Sequence, residues 1–217
     1  MVNILISGYY GFDNIGDESI LRTLVSSLRE HIPDCSLTVL SHNPASTREK
    51  YGVEAVDRMS PMAILRAVKG CDMLISGGGS LLQDVTSSKS LHYYLSIIRC
   101  AEFFHKKVFI YSQGIGPIDR PGNRRAAAAA LKRADGIVVR DERSAALLEE
   151  IGIARDKVVI TADPVIRMKK PDGDVGAEIL RKAGVSLDGR LTVGWAIRER
   201  DTDSRFVKEL LRSIQMM

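Results

Sequence analysis

Residues 2–18 read VNILISGYYGFDNIGDE, an apolar strand followed by a loop of glycines and acids, and a helical pattern starts directly afterwards at residue 19. A strand, a loop and a helix in this order open a doubly wound α/β domain, whose ligands bind at the carboxyl ends of the strands. The loop lacks the G-x-G-x-x-G pattern of dinucleotide-binding domains, and Asp17 and Glu18 already place negative charge where a helix N-terminus would attract an anion. The loop therefore favours sugar hydroxyls, or a proton to be removed, over a nucleotide phosphate. For Asp17 the structural alternative is a cap of the helix.

Two further loops follow predicted strands in the same way. Residues 77–84, GGGSLLQD, come after the apolar run at 71–76, and residues 112–117, SQGIGP, come after the run at 108–111. Consecutive glycines allow a ligand to approach the backbone closely, and their N–H groups can surround an anion. Because the carboxyl ends of parallel strands share one edge of a sheet, we expect the loops at 9–17, 77–84 and 112–117 to line one cleft.

Strand and helix patterns alternate along most of the chain. The alternation predicts a parallel sheet with right-handed crossovers, that is, a doubly wound, Rossmann-like α/β fold. Strands are predicted at 2–7, 36–41, 53–57, 72–76, 107–112, 136–140 and 157–161, and helices at 18–31, 61–69, 90–105, 122–134 and 142–152.

The composition changes towards the end of the chain. Residues 169–174 read KKPDGD, which is typical of a linker, and a helix is predicted at 175–184. One strand, at 191–197, and one helix, at about 203–214, follow, and such a pair is too small to form a core of its own. The expected organisation is a Rossmann-like domain at 1–166, a linker and connecting helix at 167–189, and the start of a truncated second Rossmann-like domain at 190–217.

Five blocks of sequence carry a family resemblance. They are GYYG…NIGDE at 8–18, ISGGGSLLQD at 75–84, SQGIGP at 112–117, VRDERS at 139–144 and TADP at 161–164. Together they resemble the polysaccharide pyruvyl transferases, of the CsaB type that pyruvylates secondary cell-wall polymers. The resemblance implies the N-terminal half of a glycosyltransferase-B-like fold, in which two Rossmann-like domains face a cleft and the first lies on the acceptor side. It also implies transfer of a pyruvyl group from phosphoenolpyruvate onto a sugar as a ketal, without a cofactor.

Phosphoenolpyruvate carries a carboxylate and a phosphate, so the family's reaction needs a cation that makes several hydrogen bonds to an anion. Arg140 is the last residue of the predicted strand at 136–140 and so stands at a carboxyl end, where ligands sit. A guanidinium binds a carboxylate through two parallel hydrogen bonds, which a lysine cannot do. We therefore expect Arg140 to hold the substrate anion in the catalytic site. A salt bridge to Asp141 or Glu142 is the structural alternative.

Asp17 and Asp84 are the candidates for the catalytic acid or base, a role that typically contributes about 10²- to 10⁴-fold in rate. Both belong to loops that we expect to line the cleft. For Asp84 the alternative is a helix cap, and Asp163 is a weaker candidate for the same chemistry. The expected substrate-binding residues are neutral amides suited to sugar hydroxyls, three glycines and one acid: Asn14, Gln83, Gln113, Gly77, Gly78, Gly79 and Asp163.

The composition is that of a soluble globular protein, with 217 residues, 45% of them hydrophobic and 27% charged. Three cysteines are odd in number, and neither they nor the histidines have metal-ligand spacing, so we expect no disulfide framework and no metal site. No stretch approaches the roughly 20 apolar residues of a membrane span. The protein is therefore expected in the cytoplasm, at the inner face of the membrane if its basic pairs contact anionic lipid.

The net charge of +4 weakly favours anionic partners. Its basic pairs are scattered and not interleaved with aromatic residues, so no nucleic-acid partner is expected. The expected partners are phosphoenolpyruvate and a saccharide acceptor, which a lipid diphosphate could carry, and assembly into a homo-oligomer stays open. Two other functions also stay open, because fold alone does not choose between them: a nucleotide-sugar glycosyltransferase and a non-catalytic saccharide-binding module. Because a two-domain transferase closes its site between domains, we expect residues 1–217 alone not to turn over phosphoenolpyruvate.

Overall fold

The computed structural model describes residues 1–169, 174–187, 189, 193–194 and 204–215. The chain divides into two compact units, Met1–Lys169 and Lys170–Met217.

A parallel sheet organises the first unit. Within residues 1–169 its strands are β1 (Val2–Tyr10), β2 (Cys35–Ser41), β3 (Glu54–Asp57), β4 (Met73–Gly77), β5 (Lys107–Gln113), β6 (Gly136–Val139) and β7 (Val158–Ile160). Their order across the sheet is β3-β2-β1-β4-β5-β6-β7. The chain therefore builds outward from β1 to β3, crosses back, and builds outward again from β4 to β7. Strand order reverses between β1 and β4, the place where doubly wound sheets bind ligands, and the predicted doubly wound α/β fold is confirmed.

Helices connect successive strands of the first unit. They are α1 (Ile15–His31), α2 (Pro44–Tyr51), α3 (Pro61–Gly70), α4 (Ser88–Phe103), α5 (Pro121–Leu131) and α6 (Glu142–Glu150). The sequence patterns did not predict α2, because only Thr47 and Tyr51 of this helix are buried and no apolar stripe results. Local signals support it instead. Asn43 Oδ1 accepts the N–H of Ser46 at 3.2 Å, and a proline at the first helical position has no N–H to leave unpaired.

Two apolar cores lie on opposite faces of the sheet. Alternate residues of β1 divide between them, since Ile4 and Ile6 join the core under α1 while Leu5 joins the core under α4. The second of these cores also contains buried residues of α3, α5 and α6. Because a shift of one residue would exchange the two faces, this burial sets the strand register and with it the positions of the loops.

The second unit is described through two helices. α7 spans Val175–Lys182 and α8 spans Ser204–Gln215, where helices are predicted from the sequence. The strand predicted at 191–197 lies outside the described residues, apart from positions 193 and 194. Among the helices that the structure describes, none has the length and apolar character needed to cross a membrane.

Candidate functional site

The predicted cleft loops meet at the carboxyl edge of the sheet. They follow β1, β4 and β5, which are parallel neighbours. The N–H of Gly114 donates to the carbonyl oxygen of Gly79 at 2.9 Å and so joins the second and third loops. Gly79 also lies against the first helical turn, since a Cβ atom on it would be 2.7 Å from Oδ1 of Asp17. The structure thus brings all three segments together.

The consecutive glycines of the second loop allow α1 to approach it. Gly78 and Gly79 have φ angles of +51° and +70°, in the left-handed region that favours glycine. A Cβ atom on Gly78 would stand 2.1 Å from Cγ2 of Ile20, and one on Gly77 would stand 3.0 Å from the hydroxyl of Tyr10. The neighbours that require these glycines are therefore the protein's own β1 and α1, and the role of the glycines in substrate binding stays a prediction.

Asp17 lies in the first turn of α1 but does not cap it. The cap is Asn14, whose Oδ1 accepts the N–H groups of Gly16 at 3.0 Å and of Asp17 at 3.3 Å. The alternative that Asp17 is the helix cap is therefore wrong. Asn14 uses its side-chain oxygen inside the protein, and its contact with a sugar hydroxyl stays a prediction.

The pKa of Asp17 is strongly perturbed. Burial, followed by the charge of Glu18, raises this pKa from 3.8 to about 6. The positive charge of Arg140 opposes the rise and the negative charge of Asp163 adds to it, so both groups lie close enough to act on the Asp17 carboxyl. A carboxyl group with a pKa near 6 can both give and take a proton close to neutral pH.

Glu18 has a structural task next to Asp17. Its Oε1 accepts the N–H of Gly11 at 2.8 Å, and its Oε2 accepts the hydroxyl of Tyr51 at the end of α2. Glu18 therefore fastens the first loop to α2. Of the two acids at the start of α1, Asp17 is the one that faces the second loop.

Arg140 joins three segments of the carboxyl edge. Its Nη1 donates to Oδ2 of Asp163 at 2.9 Å, and its Nη2 donates to Oγ of Ser80 at 2.9 Å. Its Nε lies 3.8 Å from Oδ2 of Asp141, so the acid beside it in sequence makes the longer contact. Gly114 provides the space, because a Cβ atom there would stand 2.8 Å from Nη2 of Arg140. The guanidinium is thus held in place next to the second and third loops.

Asp84 is buried and bonded to the segment that leads into α5. Its Oδ1 accepts the N–H of Asp119 at 2.9 Å, while its Oδ2 accepts the N–H of Arg120 at 3.1 Å and Nδ2 of Asn123 at 2.8 Å. Burial by itself would raise the pKa of Asp84, but these hydrogen bonds hold it below its usual value. A carboxylate with a low pKa is a weak base. The helix that Asp84 supports is α5, since the N-terminus of α4 is capped by Ser87.

The two glutamines bond to their own protein neighbours. Nε2 of Gln113 donates to both the carbonyl oxygen and Oγ of Ser76, each at 2.8 Å. Nε2 of Gln83 donates to Oγ1 of Thr86 at 2.9 Å, and its Oε1 accepts the N–H of Thr86 at 3.0 Å. Gln113 is fully buried, and its Oε1 has no hydrogen-bond partner among the residues described. Contact of either amide with substrate stays a prediction.

A cleft of about 520 Å³ opens beside Arg140, with the loop at 114–119 along one wall. Ser80, Arg124 and Arg143 also line it, and sequence reasoning missed these three. Ser80 follows the glycine run directly, which is a usable signal. The two arginines lie in helices, where sequence alone does not distinguish a cleft from solvent. Within the described part of the chain, no three side chains are grouped so that they could hold a metal ion.

The profile of the polysaccharide pyruvyl transferase family matches residues 14–209. The amylovoran biosynthesis protein AmsJ of Erwinia amylovora is 22% identical over 239 residues, an alignment that covers 91% of this chain and 57% of AmsJ. The chain therefore spans little more than half the length of this relative.

Solved structures share the fold at low sequence identity. HepE of Anabaena, in complex with UDP and glucose, has a TM-score of 0.55 and 10% identity over 85% of this chain and 50% of HepE. A protein of Listeria monocytogenes described as a UDP-N-acetylglucosamine 2-epimerase has a TM-score of 0.58 and 12% identity over 98% of this chain and 60% of its own. These likenesses establish a glycosyltransferase-B-like architecture and leave the substrate open. Since the family profile covers most of the chain, including the second and third loops at the carboxyl edge, the chain belongs to the polysaccharide pyruvyl transferase family.

Proposed function

We propose that this chain carries part of the site at which a pyruvyl group moves from phosphoenolpyruvate onto a sugar of a cell-surface polysaccharide, or of its lipid-linked precursor, as a ketal. Membership of the family supports a transferase that acts on polysaccharide. The observation that carries the finer proposal is Arg140, held by Ser80 and Asp163 at the carboxyl edge and close to Asp17. Because the chain spans 57% of AmsJ, the activity of a whole protein is part of this proposal.

Arg140 is suited to the carboxylate of phosphoenolpyruvate. A guanidinium has five N–H donors, and Asp163 and Ser80 each take one of them at 2.9 Å, which leaves donors for a substrate oxygen. Arg124 and Arg143 line the same cleft and supply positive charge for the phosphate. Asp163 and Ser80 then act as positioning residues, because they fix the direction of the guanidinium.

Asp17 is suited to the proton transfers. Ketal formation adds a proton to the methylene carbon, and an acceptor hydroxyl attacks the neighbouring carbon and loses its own proton. The bond from that carbon to phosphate then breaks, and a second hydroxyl closes the ring as its proton leaves with the phosphate. A carboxyl with a pKa of about 6 can deliver the first proton as an acid and accept the hydroxyl proton as a carboxylate.

The contacts of Asp84 favour a different role from the catalytic one predicted for it. Three donors already occupy its oxygens and its pKa is held low, so we propose that Asp84 positions the wall of the cleft at 117–120.

The amides and glycines of the three loops are proposed to contact the sugar. Residues 1–166 would form the acceptor-side domain, 167–189 the linker and connecting helix, and 190–217 the start of a second domain. The acceptor would be met at the cytoplasmic face of the membrane.

Calorimetric titration of the 217-residue chain with phosphoenolpyruvate tests this proposal. We expect saturable binding that Arg140→Lys weakens by about tenfold or more, because a lysine keeps the charge but loses the paired hydrogen bonds. Arg125→Lys is the matched control, since Arg125 is exposed on α5.

The outcomes separate the alternatives. Binding of UDP-glucose without binding of phosphoenolpyruvate would favour a nucleotide-sugar glycosyltransferase. Binding of an oligosaccharide alone would favour a saccharide-binding module. Unchanged affinity with a lowered melting temperature in Arg140→Lys would show that this residue forms only a structural ion pair.

A further inference from the structure

An apolar groove of about 440 Å³ lies between α3 and α4, on the face of the sheet opposite α1. Ile64 and Leu65 line it from α3, while Ile97 and Cys100 line it from α4. One end lies at Arg58, directly after β3, and the groove follows both helices away from the carboxyl edge. It is separate from the cleft beside Arg140.

Large apolar side chains stand exposed along the same two helices. Met59 and Met62, at the start of α3, are 67% and 56% exposed. Phe103 lies almost one turn after Cys100 on α4 and is 75% exposed. Most other apolar residues of α4 belong to the core, so these side chains are not explained by packing within the domain. Several large apolar groups exposed in one region mark an interaction surface.

The same region is positively charged. Over residues 61–70 and 88–107, one acid, Glu102, occurs with six basic residues, Arg66, Lys69, Lys89, Arg99, Lys106 and Lys107. Lys107 is paired with Asp135 at 2.7 Å, so the other five carry the local excess. The chain as a whole has 31 basic and 27 acidic residues, so this is a local excess.

A further cation lies at the end of the groove. Arg58 is buried, and its guanidinium carbon lies 4.7 Å from the ring centroid of Tyr93 and 5.1 Å from that of Phe12. Nη1 donates to the carbonyl oxygen of Gly8 at 2.9 Å and Nη2 to the hydroxyl of Tyr94 at 3.2 Å. Nε has no hydrogen-bond partner within the described part of the chain. The aromatic rings stabilise the charge of Arg58 but do not neutralise it, so Arg58 adds to the positive character of the surface.

We propose that this surface, formed by residues 58–70 and 88–107 and called here the α3–α4 face, docks on an anionic lipid bilayer. Phe103, Met59 and Met62 enter the boundary between headgroups and acyl chains, and the exposed basic residues contact lipid phosphates. Charge complementarity selects this partner. A second copy of the chain would present the same positive surface, and like charges would oppose the contact. The proposal concerns where the protein sits and does not depend on pyruvyl transfer.

Co-sedimentation with vesicles tests the charge part of the proposal. We expect the chain to bind vesicles of equimolar phosphatidylglycerol and phosphatidylcholine, to ignore phosphatidylcholine alone, and to lose binding as salt rises. Each Lys or Arg near an anionic surface is worth about fivefold in partitioning, so removing three should weaken it about 10²-fold. The test variant carries Arg66→Gln, Lys69→Gln and Arg99→Gln. The control carries Arg125→Gln, Lys132→Gln and Lys157→Gln, which remove the same charge elsewhere and should change partitioning far less.

A second variant tests the apolar part. Phe103→Ser should weaken partitioning into the vesicles by about tenfold or more, because it removes the phenyl ring that leaves water on binding. Val85→Ser is its control, since Val85 is 57% exposed and lies outside the α3–α4 face. Circular dichroism checks that each variant is folded.

Three results would overturn the proposal. They are an absence of binding to anionic vesicles, equal losses in the two charge variants, and unchanged vesicle binding in Phe103→Ser. A dimer on size exclusion that Phe103→Ser dissociates, with vesicle binding unaffected, would assign the face to a second copy instead. Titration with phosphoenolpyruvate is read separately, so failure of this proposal and failure of the proposed function can be told apart.

Discussion

Replacing Asp17 by Asn should make the folded protein more stable above pH 6 while it removes the proposed acid or base. The carboxyl group has a pKa of about 6 in the folded state against 3.8 ordinarily. Between these values the folded state binds more protons than the unfolded state, so stability falls as pH rises. The destabilising effect of Asp17 is absent below about pH 4 and complete above about pH 6.

The magnitude follows from the two pKa values. A fully shielded group would give about 3 kcal/mol, because each pH unit between the folded and unfolded pKa is worth about 1.4 kcal/mol. Asp17 is only half-buried, and solvent screening reduces this to about 1 kcal/mol. The favourable interaction of a carboxylate with the start of α1 is already contained in the folded pKa. For a unit of this size, 1 kcal/mol corresponds to about 2–4 °C in melting temperature.

Urea unfolding of the wild-type chain and of Asp17→Asn, at pH 4 and pH 7.5, measures this directly. The variant should unfold at higher urea at pH 7.5 and at nearly the same urea as the wild type at pH 4. Asp156→Asn, at an exposed position before β7, is the surface control. A variant that loses stability equally at both pH values would refute the reasoning, because the carboxylate would then make favourable contacts in the folded state. Gain of stability in this chain, together with loss of turnover in a complete two-domain enzyme that carries Asp17→Asn, would mark Asp17 as a residue kept for function.

Two further substitutions test the structural roles assigned above. Asp84→Ala should destabilise the fold by about 2–4 kcal/mol at pH 7, because it removes the acceptor of two backbone N–H groups and of one N–H of the Asn123 amide. Chemical denaturation measures the loss. Gly78→Ala should also destabilise the fold by about 2–4 kcal/mol, because the added Cβ clashes with Ile20 and Gly78 has a positive φ. Gly122→Ala is its control, since no atom lies within 4 Å of the added Cβ, and it should stabilise the fold by a few tenths to about 1 kcal/mol in the same assay.

The amino-acid sequence was sufficient to predict the fold class and the edge of the sheet at which the candidate site lies. Strand runs such as 2–7 and 72–76, alternating with helical patterns, require a parallel sheet whose loops gather at one edge. These signals are local, because the two-residue period of a strand and the 3.6-residue period of a helix are recognisable within a short stretch of sequence. Helix α2 was not predicted, because it buries only Thr47 and Tyr51 and therefore has no periodic apolar pattern.

The contacts of each polar residue depend on the three-dimensional fold. Asp17 and Asn14 are both good helix caps by type, and the backbone geometry of the first loop gives the cap to Asn14. Asp84 meets donors 35 to 39 residues further along the chain, and Arg140 meets an acid 23 residues away and Ser80 60 residues before it. Such contacts join loops that are distant in sequence but follow strands that are neighbours in the sheet, or that are one strand apart, as with Arg140 and Ser80. No local sequence pattern encodes these contacts. The burial and the hydrogen-bond partners that set the pKa values of Asp17 and Asp84 therefore follow only from the three-dimensional structure.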